Sequence, residues 1–290
     1  LNGNYVNNST KHQKGIWFST RSGLSVHNNQ NWQTYTITNG LIDNTINDVS
    51  FDKDGTIWVG TESGLTHITE SSPENYTSQD GLVDDNILCT AIDSSGRKWF
   101  GTNSGVSVYQ NEKWTNYTAS ETKITSNKVA DIETDKKGIV WIATDNGVNS
   151  FKEGTFKNYT TDAGLVNDTV NTVFIDSSGN KWFGTKNGIS VYNDTTWSKI
   201  TTEDNLPFSE ITSISEGDKN TIFIGGNRGL AVYESDSFSL IDIESGLICN
   251  SVNSISFKNG EIWIGTDNGI TKMEISVNHA PSNIEFNNDD

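Results

Sequence analysis

The sequence predicts an all-β protein, a seven-bladed β-propeller of four-stranded blades. Three observations predict it: one segment recurs along the chain, its copies are evenly spaced, and each copy holds short β-type runs between turn residues. The segment is clearest at Gly55-Thr-Ile-Trp58-Val-Gly60-Thr61-Glu-Ser-Gly64. Its aromatic anchor recurs every 40 to 42 residues, as Trp17, Trp58, Trp99, Trp141, Trp182, Phe223 and Trp263. Seven copies predict seven blades, about 41 residues per repeat.

The second repeat shows the elements of one blade. Residues 46–51 alternate as an inner strand, and Asp52-Lys-Asp-Gly55 turns the chain back. Residues 56–61 and 65–69 predict the second and third strands, and residues 75–77 a short outer one. A loop then leads inward to the next blade. Residues 1–10 align loosely with the later inner strands, which predicts a weak first inner strand.

The repeats place the propeller at residues 1–275. Residues 276–290 are expected to be a linker or the start of a following β-sandwich module. The seventh repeat lacks the outer aromatic found 15 residues after the anchor in other copies, so its fourth strand is either a weak one at 283–286 or comes from outside this sequence. An unpaired blade edge would otherwise favour aggregation. We expect this chain to be part of a longer protein.

Composition excludes several partners. The chain has 20 Lys and Arg against 37 Asp and Glu, a net charge of −17, which disfavours nucleic acid and anionic membrane surfaces. No apolar run is long enough for direct membrane insertion. Cys89 and Cys249 fall on well-separated blades, so no disulfide is expected. Cysteine usage therefore does not decide the compartment, and the expected location outside the cytoplasm rests on other observations.

Most recurring residues have a structural interpretation. A large flat anchor side chain is expected to fill the interface between adjacent blades. Asp52-Lys-Asp-Gly55 lacks the later ligands of a calcium loop, so we interpret it as a hairpin turn. No cofactor and no metal site is expected, with calcium left as an open alternative because the chain is acidic.

The unit Gly-Leu-x-x-Asn-x-Ile, then Asp-x-x-Gly-x-Ile-Trp-x-Gly-Thr-x-x-Gly-Leu, resembles the bacterial two-component regulator propeller repeat. The resemblance covers essentially residues 1–275. It implies a location in the periplasm, on the cell surface or in the secreted fraction, and a role in detecting glycans, as in the sensor halves of hybrid histidine kinases. Residues 278–286 resemble the opening of a cadherin-like or immunoglobulin-like module of secreted bacterial proteins, which implies tethering to further β-sandwich modules.

A ligand site is expected on the face where the inward loops and the second-to-third-strand turns surround the central channel. The residue after the repeated Thr changes in charge from blade to blade, as expected for a position that contacts a ligand on a fixed frame. The alternative is that an exposed turn accepts any polar residue and binds nothing. Phe208 replaces a polar residue of the sibling loops and is expected either to stack on a ligand or to pack against a neighbouring loop. The candidate ligand-binding residues are Arg21, Asp43, Glu62, Asp84, Asn103, Asn127, Asp145, Asn167, Lys186, Phe208, Asn227, Arg228 and Asp267.

Catalysis has little support in the sequence. His12, His27, His67 and His279 all fall away from the expected site, and neither Tyr nor His is expected at the channel mouth. The sequence therefore predicts a non-enzymatic recognition propeller whose ligand is a glycan or a surface protein. Two alternatives stay open: a fragment of a periplasmic sensor, and a polysaccharide lyase or glycoside hydrolase that would use a carboxylate pair such as Glu62 and Asp84.

Overall fold

Each repeat folds into one antiparallel sheet, and the sheets are the blades of a propeller. The structure, a computed structural model, describes residues 3–28 and 31–274. Six sheets have four strands, and the seventh has three within the described residues. The predicted all-β, seven-bladed propeller is confirmed. The fourth strand considered at 283–286 and the module expected at 276–290 lie outside the described residues.

The strands follow one another in chain order, and the sheet order within each blade equals the sequence order. The first four blades contain β1 Val6–His12, β2 Gly15–Thr20, β3 Gly23–Asn28, β4 Asn31–Tyr35; β5 Ile46–Phe51, β6 Ile57–Thr61, β7 Gly64–Ile68, β8 Pro73–Tyr76; β9 Ile87–Ile92, β10 Lys98–Thr102, β11 Val106–Gln110, β12 Lys113–Tyr117; and β13 Val129–Thr134, β14 Val140–Thr144, β15 Gly147–Lys152, β16 Thr155–Tyr159. The other three contain β17 Val170–Ile175, β18 Lys181–Thr185, β19 Gly188–Tyr192, β20 Trp197–Ile200; β21 Ile211–Glu216, β22 Ile222–Gly226, β23 Gly229–Glu234, β24 Ser237–Ile241; and β25 Val252–Lys258, β26 Glu261–Thr266, β27 Gly269–Glu274. Short 3-10 turns lie at Ile37–Asn39, Thr161–Ala163, Thr202–Asp204 and Asp218–Asn220.

The first strand of every blade lines a central channel, with a volume of about 800 Å³. β1 is one of these strands, so the weak first inner strand predicted from residues 1–10 is confirmed. We call the face where the inner strands begin the collar face, and the opposite one the far face. No helix in the described part of the chain is long and apolar enough to cross a membrane.

The aromatic anchors lie between blades, as predicted. Trp58 packs against Phe100 of the next blade with ring centroids 5.5 Å apart. Trp263 of the last blade packs in the same way against Phe18 of the first, at 5.8 Å. Trp58 is 1 % exposed and Trp263 4 %, so each indole removes a large apolar area from water. The interface between the last and first blades, which we call the seam, is therefore packed like the interface between the second and third blades.

A glycine in the second strand lets neighbouring blades approach closely. A Cβ atom on Gly60 would lie 2.7 Å from Ile87 Cγ2, at the start of the next inner strand. At the seam, a Cβ on Gly265 would lie 2.5 Å from Val6 Cγ1. At five of the seven interfaces the β-branched residue that begins the inner strand thus packs onto a glycine of the preceding blade, whereas Ser19 and Ala143 occupy that position in the first and fourth blades.

Polar side chains in the inner strands connect successive blades around the channel. The second residue of each inner strand from β5 to β25 lies in a β-bulge, and in the second, fifth, sixth and seventh blades it is an Asn or Thr whose side chain can bond to the next blade. Asn47 Nδ2 donates to Ile87 O at 2.8 Å. Asn253 Nδ2 donates to Val6 O at 2.9 Å, so the last blade bonds to the first in the same manner. Leu88 and Ala130 occupy this position in the third and fourth blades and have no such donor.

In the third, fourth and fifth blades the Asp of the far-face turn bonds both the turn backbone and the aromatic anchor. Asp93 Oδ1 accepts the backbone N–H of Ser95, while Oδ2 accepts Trp99 Nε1 at 2.9 Å. Asp176 and Trp182 repeat this bond at 2.9 Å. In the sixth blade both partners differ. The side chain of Phe223 has no N–H to donate, and Gly217 replaces the Asp. A Cβ atom at Gly217 would lie 2.5 Å from the Phe223 ring. The turn interpretation of Asp-x-x-Gly is confirmed.

We expect Trp263→Ala to destabilise the protein, because it opens a cavity at the seam where the ring closes. The loss should be about 3–5 kcal/mol in the free energy of unfolding, measured in urea. Ile243→Ala is the matched control, since that side chain is 55 % exposed, and it should change stability by less than about 0.5 kcal/mol. Equal effects of the two substitutions would show that the seam contributes no more than a surface loop.

Candidate functional site

The candidate site is a ring of two residues per blade at the mouth of the channel, which we call the collar. One is the first residue of the turn that follows the second strand, and the other immediately precedes the inner strand. Those at turns are Arg21, Glu62, Asn103, Asp145, Lys186, Asn227 and Asp267, all exposed. Those that precede inner strands are Tyr5, Thr45, Asn86, Lys128, Thr169, Glu210 and Ser251.

Backbone bonds fix the two positions relative to each other. The N–H of Glu62 donates to Thr45 O at 3.2 Å, and that of Arg21 donates to Tyr5 O at 3.3 Å. The repeated Thr secures the turn: Thr61 Oγ1 donates to Gly64 O at 2.7 Å and accepts the N–H of Ser63 at 3.1 Å. The same Thr bonds recur in six blades, through Thr20, Thr61, Thr102, Thr144, Thr185 and Thr266. The geometry of the collar is therefore independent of its side chains.

Several predicted turn residues leave their side chains free. Those of Glu62, Asn103, Asp145 and Lys186 make no hydrogen bond or ion pair with another described residue. Asn227 Nδ2 lies 3.4 Å from Glu210 Oε2, and Arg228 Nη1 lies 3.5 Å from Pro207 O. The structure thus brings the predicted turn residues together around one opening, with most of their donors and acceptors available to a ligand.

The predicted residues of the inward loops are engaged within the loops instead. Asp43 Oδ1 accepts the N–H of Thr45 at 2.8 Å, and Oδ2 accepts the hydroxyl of Ser63. Burial opposes the shift, yet these hydrogen bonds hold the pKa of Asp43 below its usual value. Asp84 and Asn167 make the corresponding bonds to Asn86 and Thr169, both at 2.9 Å.

Asn127 has a related role one position along the loop. Its Oδ1 accepts the N–H of Ala119 at 2.6 Å and so braces the chain that leaves the outer strand. Side chains that accept hydrogen bonds from loop N–H groups stabilise the loop conformation. The predicted loop residues therefore stabilise the loop backbone, and only their remaining lone pairs are available to a ligand.

Phe208 is buried, which corrects its expected use as a stacking platform. The side chain is 3 % exposed, and the ring lies against Gly226, where a Cβ atom would be 2.4 Å from Phe208 Cε2. Gly226 stands where six blades have the repeated Thr. The ring thus fills the space left by the missing threonine, in line with the second expectation, packing against a neighbouring loop.

Tyr5 at the channel mouth was missed by the sequence prediction, which placed no Tyr or His there. The guanidinium of Arg21 lies 3.7 Å from the centroid of its ring. Burial, together with the charge and hydrogen bond of Asp267, raises the pKa of Tyr5. Counting back one residue from the β-branched start of each inner strand would have found Tyr5, but the first repeat aligns too loosely for that count.

The described histidines lie away from the collar, as predicted. His12 ends β1 on the far face and stacks on Phe51 with centroids 4.1 Å apart. His67 lies in a third strand, stacked on Trp58 at 3.9 Å. His279 is outside the described residues. Within residues 3–28 and 31–274, no group of three or more His, Cys, Asp or Glu is placed to hold a metal ion.

One carboxylate in the channel wall connects three blades. Asp48 Oδ1 accepts Asn8 Nδ2 at 2.6 Å, and Oδ2 accepts the N–H of Thr90 at 2.7 Å. Burial raises the pKa of Asp48 to about 7, although these hydrogen bonds oppose the rise. The channel wall therefore holds a group that titrates near neutral pH.

Comparison with known proteins supports the repeat assignment and the fold. Residues 40–63 and 246–268 match the family profile described as two component regulator propeller, which confirms the resemblance. The extracellular domain of a putative hybrid two component system from B. thetaiotaomicron is 23 % identical with a TM-score of 0.82, covering 93 % of this chain and 39 % of that one. This chain therefore spans about two fifths of that protein's solved length.

Two other solved structures share the fold at lower identity. Virginiamycin B lyase from Staphylococcus aureus is 14 % identical with a TM-score of 0.77, covering 93 % of this chain and 96 % of the lyase. PorZ, a surface component of the type-IX secretion system of Porphyromonas gingivalis, is 14 % identical with a TM-score of 0.75, covering 96 % of this chain and 47 % of PorZ. At these identities the likeness shows the fold alone. No curated protein matches the chain in sequence.

We expect the stability contribution of Asp48 to decrease as pH rises. Its pKa is about 7 in the folded state against 3.8 in the unfolded one, so between these values unfolding releases a proton. Relative to Asp48→Asn, the wild-type free energy of unfolding should fall from pH 4 to pH 8, by at most about 1.4 kcal/mol per pH unit.

Asp54→Asn is the control for the Asp48 titration. Hydrogen bonds from Thr56 lower the pKa of Asp54, so this group is ionised in both states above pH 5 and its contribution stays constant. Urea unfolding at five pH values would measure both differences. A flat difference for Asp48→Asn would mean that the buried carboxyl stays ionised throughout.

We expect Phe208 and Gly226 to be energetically coupled. Gly226→Thr alone should destabilise by roughly 1–3 kcal/mol through overpacking against the ring. Phe208→Ser alone should cost about 3–5 kcal/mol through the cavity it leaves. The double variant recreates the Ser126 and Thr144 pair of the fourth blade, so its loss should be smaller than the sum by roughly 0.5–3 kcal/mol. Simple additivity in urea unfolding would contradict this packing relation.

Proposed function

We propose that this chain, which carries two component regulator propeller repeats, is a non-enzymatic recognition module of a bacterial protein outside the cytoplasm. Its ligand is a glycan or another surface protein, bound at the collar. One observation carries the proposal: backbone bonds join the two collar positions in four blades, while the side chains at those positions vary from Arg to Glu and several, such as Glu62 and Lys186, have no protein partner. A frame of this kind supports recognition without constraining its chemistry.

The location rests on proteins of the same fold. The similar structure from B. thetaiotaomicron is an extracellular domain of a putative two component system, and PorZ is a bacterial surface component. Within the described residues Cys89 and Cys249 are both free, so no disulfide bears on the compartment. A sensor fragment and a surface protein would use the collar in the same way, because both need only reversible binding.

A lyase is the second candidate, since virginiamycin B lyase covers nearly the whole fold. A catalytically inactive form of that lyase has a histidine replaced by alanine. The collar of this chain has no histidine among its fourteen residues. Tyr5 is a poor general base, because its raised pKa keeps the phenol protonated at neutral pH. These observations favour binding over catalysis.

We expect a glycan ligand to raise the melting temperature of the purified chain. At about 100 times its dissociation constant, a ligand stabilises the fold by roughly 2.7 kcal/mol. The measurement is a melting-temperature screen against neutral and acidic oligo- and polysaccharides, with and without calcium. A calcium-dependent shift would revise the expectation that no ion is bound.

Two variants locate the binding face. The double variant Glu62→Ala with Lys186→Ala removes free collar side chains and should reduce the shift, whereas Asp54→Ala on the far face should leave it unchanged. A shift abolished only by the far-face variant would place the site elsewhere. A screen with no shift would reject a glycan ligand and leave a surface protein as the partner.

A further inference from the structure

The seam between the last and first blades carries the one aromatic cluster of the described collar. Tyr5 is the sole aromatic among the fourteen collar residues, and the guanidinium of Arg21 lies 3.7 Å above its ring. The negative charge of Asp267, from the last blade, contributes to raising the pKa of the Tyr5 side chain. Asn253 Nδ2 donates to Asp267 Oδ1 at 2.8 Å and also holds Val6 O at 2.9 Å. The cluster is thus assembled by ring closure, from two blades far apart in sequence.

Arg21 is held in place but retains its donors. The cation–π contact with Tyr5 restricts the rotation of the guanidinium. Among the described residues Arg21 has no ion-pair partner, and its side chain donates no hydrogen bond. The five N–H groups of its planar fork therefore lack protein acceptors, an arrangement that suits a carboxylate accepting two parallel hydrogen bonds.

The charge around the channel mouth differs from that of the whole chain. The collar and the next turn position hold four cations, Arg21, Lys128, Lys186 and Arg228, against four carboxylates, Glu62, Asp145, Glu210 and Asp267. The net formal charge of this ring is zero, whereas the chain carries −17. With the neighbouring loop carboxylates of Asp43 and Asp84 included, this region is still less acidic than the chain as a whole, so an acidic ligand is repelled less here than elsewhere.

We propose that the cluster of Tyr5, Arg21 and Asp267 is a subsite for an acidic sugar, a uronic acid residue of a glycan. The Arg21 fork binds the sugar carboxylate in a bidentate manner. Asp267, which already accepts a hydrogen bond from Asn253, accepts a ring hydroxyl through its remaining lone pairs. This inference deepens the proposed function and rests on the collar being the binding face.

A sugar fits this cluster better than an acidic peptide does. A uronic acid presents hydroxyl donors around its carboxylate, and the cluster offers an acceptor, Asp267, beside its cation. An Asp or Glu side chain of a peptide presents a carboxylate with no adjacent donor of that kind. It would satisfy Arg21 and leave Asp267 facing a second negative charge.

The test is titration calorimetry of the whole chain with oligogalacturonate and oligoalginate, and with the same oligomers after methyl esterification of their carboxylates. Arg21→Gln should weaken binding of the acidic oligomers by roughly ten- to hundredfold, the amount associated with a charged hydrogen-bonded pair. Arg21→Lys keeps the charge but loses the fork and should also weaken binding. Lys113→Gln is the control, because it removes an exposed cation at the start of β12 on the far face, and it should change affinity less than about threefold.

Four outcomes would overturn the acidic-sugar subsite while bearing differently on the proposed function. Equal binding of esterified and acidic oligomers, unaffected by Arg21→Gln, would keep a glycan-binding collar and reject the subsite. Equal losses in Arg21→Gln and Lys113→Gln would show general charge attraction only. Tighter binding of an oligoglutamate peptide would replace the sugar by a peptide. Binding of none of these probes by the folded wild type would reject the subsite, and with a blank neutral-glycan screen it would also reject a glycan ligand. Retained melting temperatures of the Arg21 variants would show that they are folded.

Discussion

Contact between neighbouring blades is the constraint on which the rest of this structure depends. A β-branched residue at the start of the inner strand, such as Ile87 or Val6, packs onto a glycine in the preceding blade at five of the seven interfaces. A buried aromatic ring, in six blades an indole, fills the remainder of the interface, and a single blade of four strands has no such partner by itself. Because the contacts at the seam are of the same kind, the last blade meets the first as other neighbouring blades meet each other. Closure therefore follows from repetition.

The collar inherits its geometry from those contacts. Each inner strand is positioned by packing, and in four blades the residue before it is bonded to a turn of the same blade, as Thr45 is to Glu62. The loops between blades use their own Asp and Asn side chains, such as Asp43, to satisfy backbone N–H groups. The side chains left over are those of the turns, and they are where the blades differ in charge. A rigid frame with variable contacts is the physical basis for assigning recognition to this face.

The sixth blade shows how a departure from the repeat is compensated within the chain. Where Phe223 replaces the indole, Gly217 replaces the Asp that would have bonded it. Where Gly226 replaces the turn threonine, Phe208 fills the vacated space. The members of these pairs lie six and eighteen residues apart in the sequence, so the relation between them is seen only from their contact in the structure. An isolated aromatic in a polar loop is therefore poor evidence of a ligand platform in a repeat protein.

The sequence by itself determined the fold class, the number of blades, the interface role of the anchors such as Trp58, and the face that holds exposed turns. Those features repeat, so local pattern and period were enough to predict them. Tertiary structure decided which candidates are free: it buried Phe208, engaged Asp43, Asp84, Asn127 and Asn167 in loop hydrogen bonds, and left Glu62 and Lys186 open. It also brought Tyr5 and Arg21 beside Asp267, residues from opposite ends of the chain. Sequence could not show this, because the neighbours of a side chain at the seam are set by ring closure and not by local order.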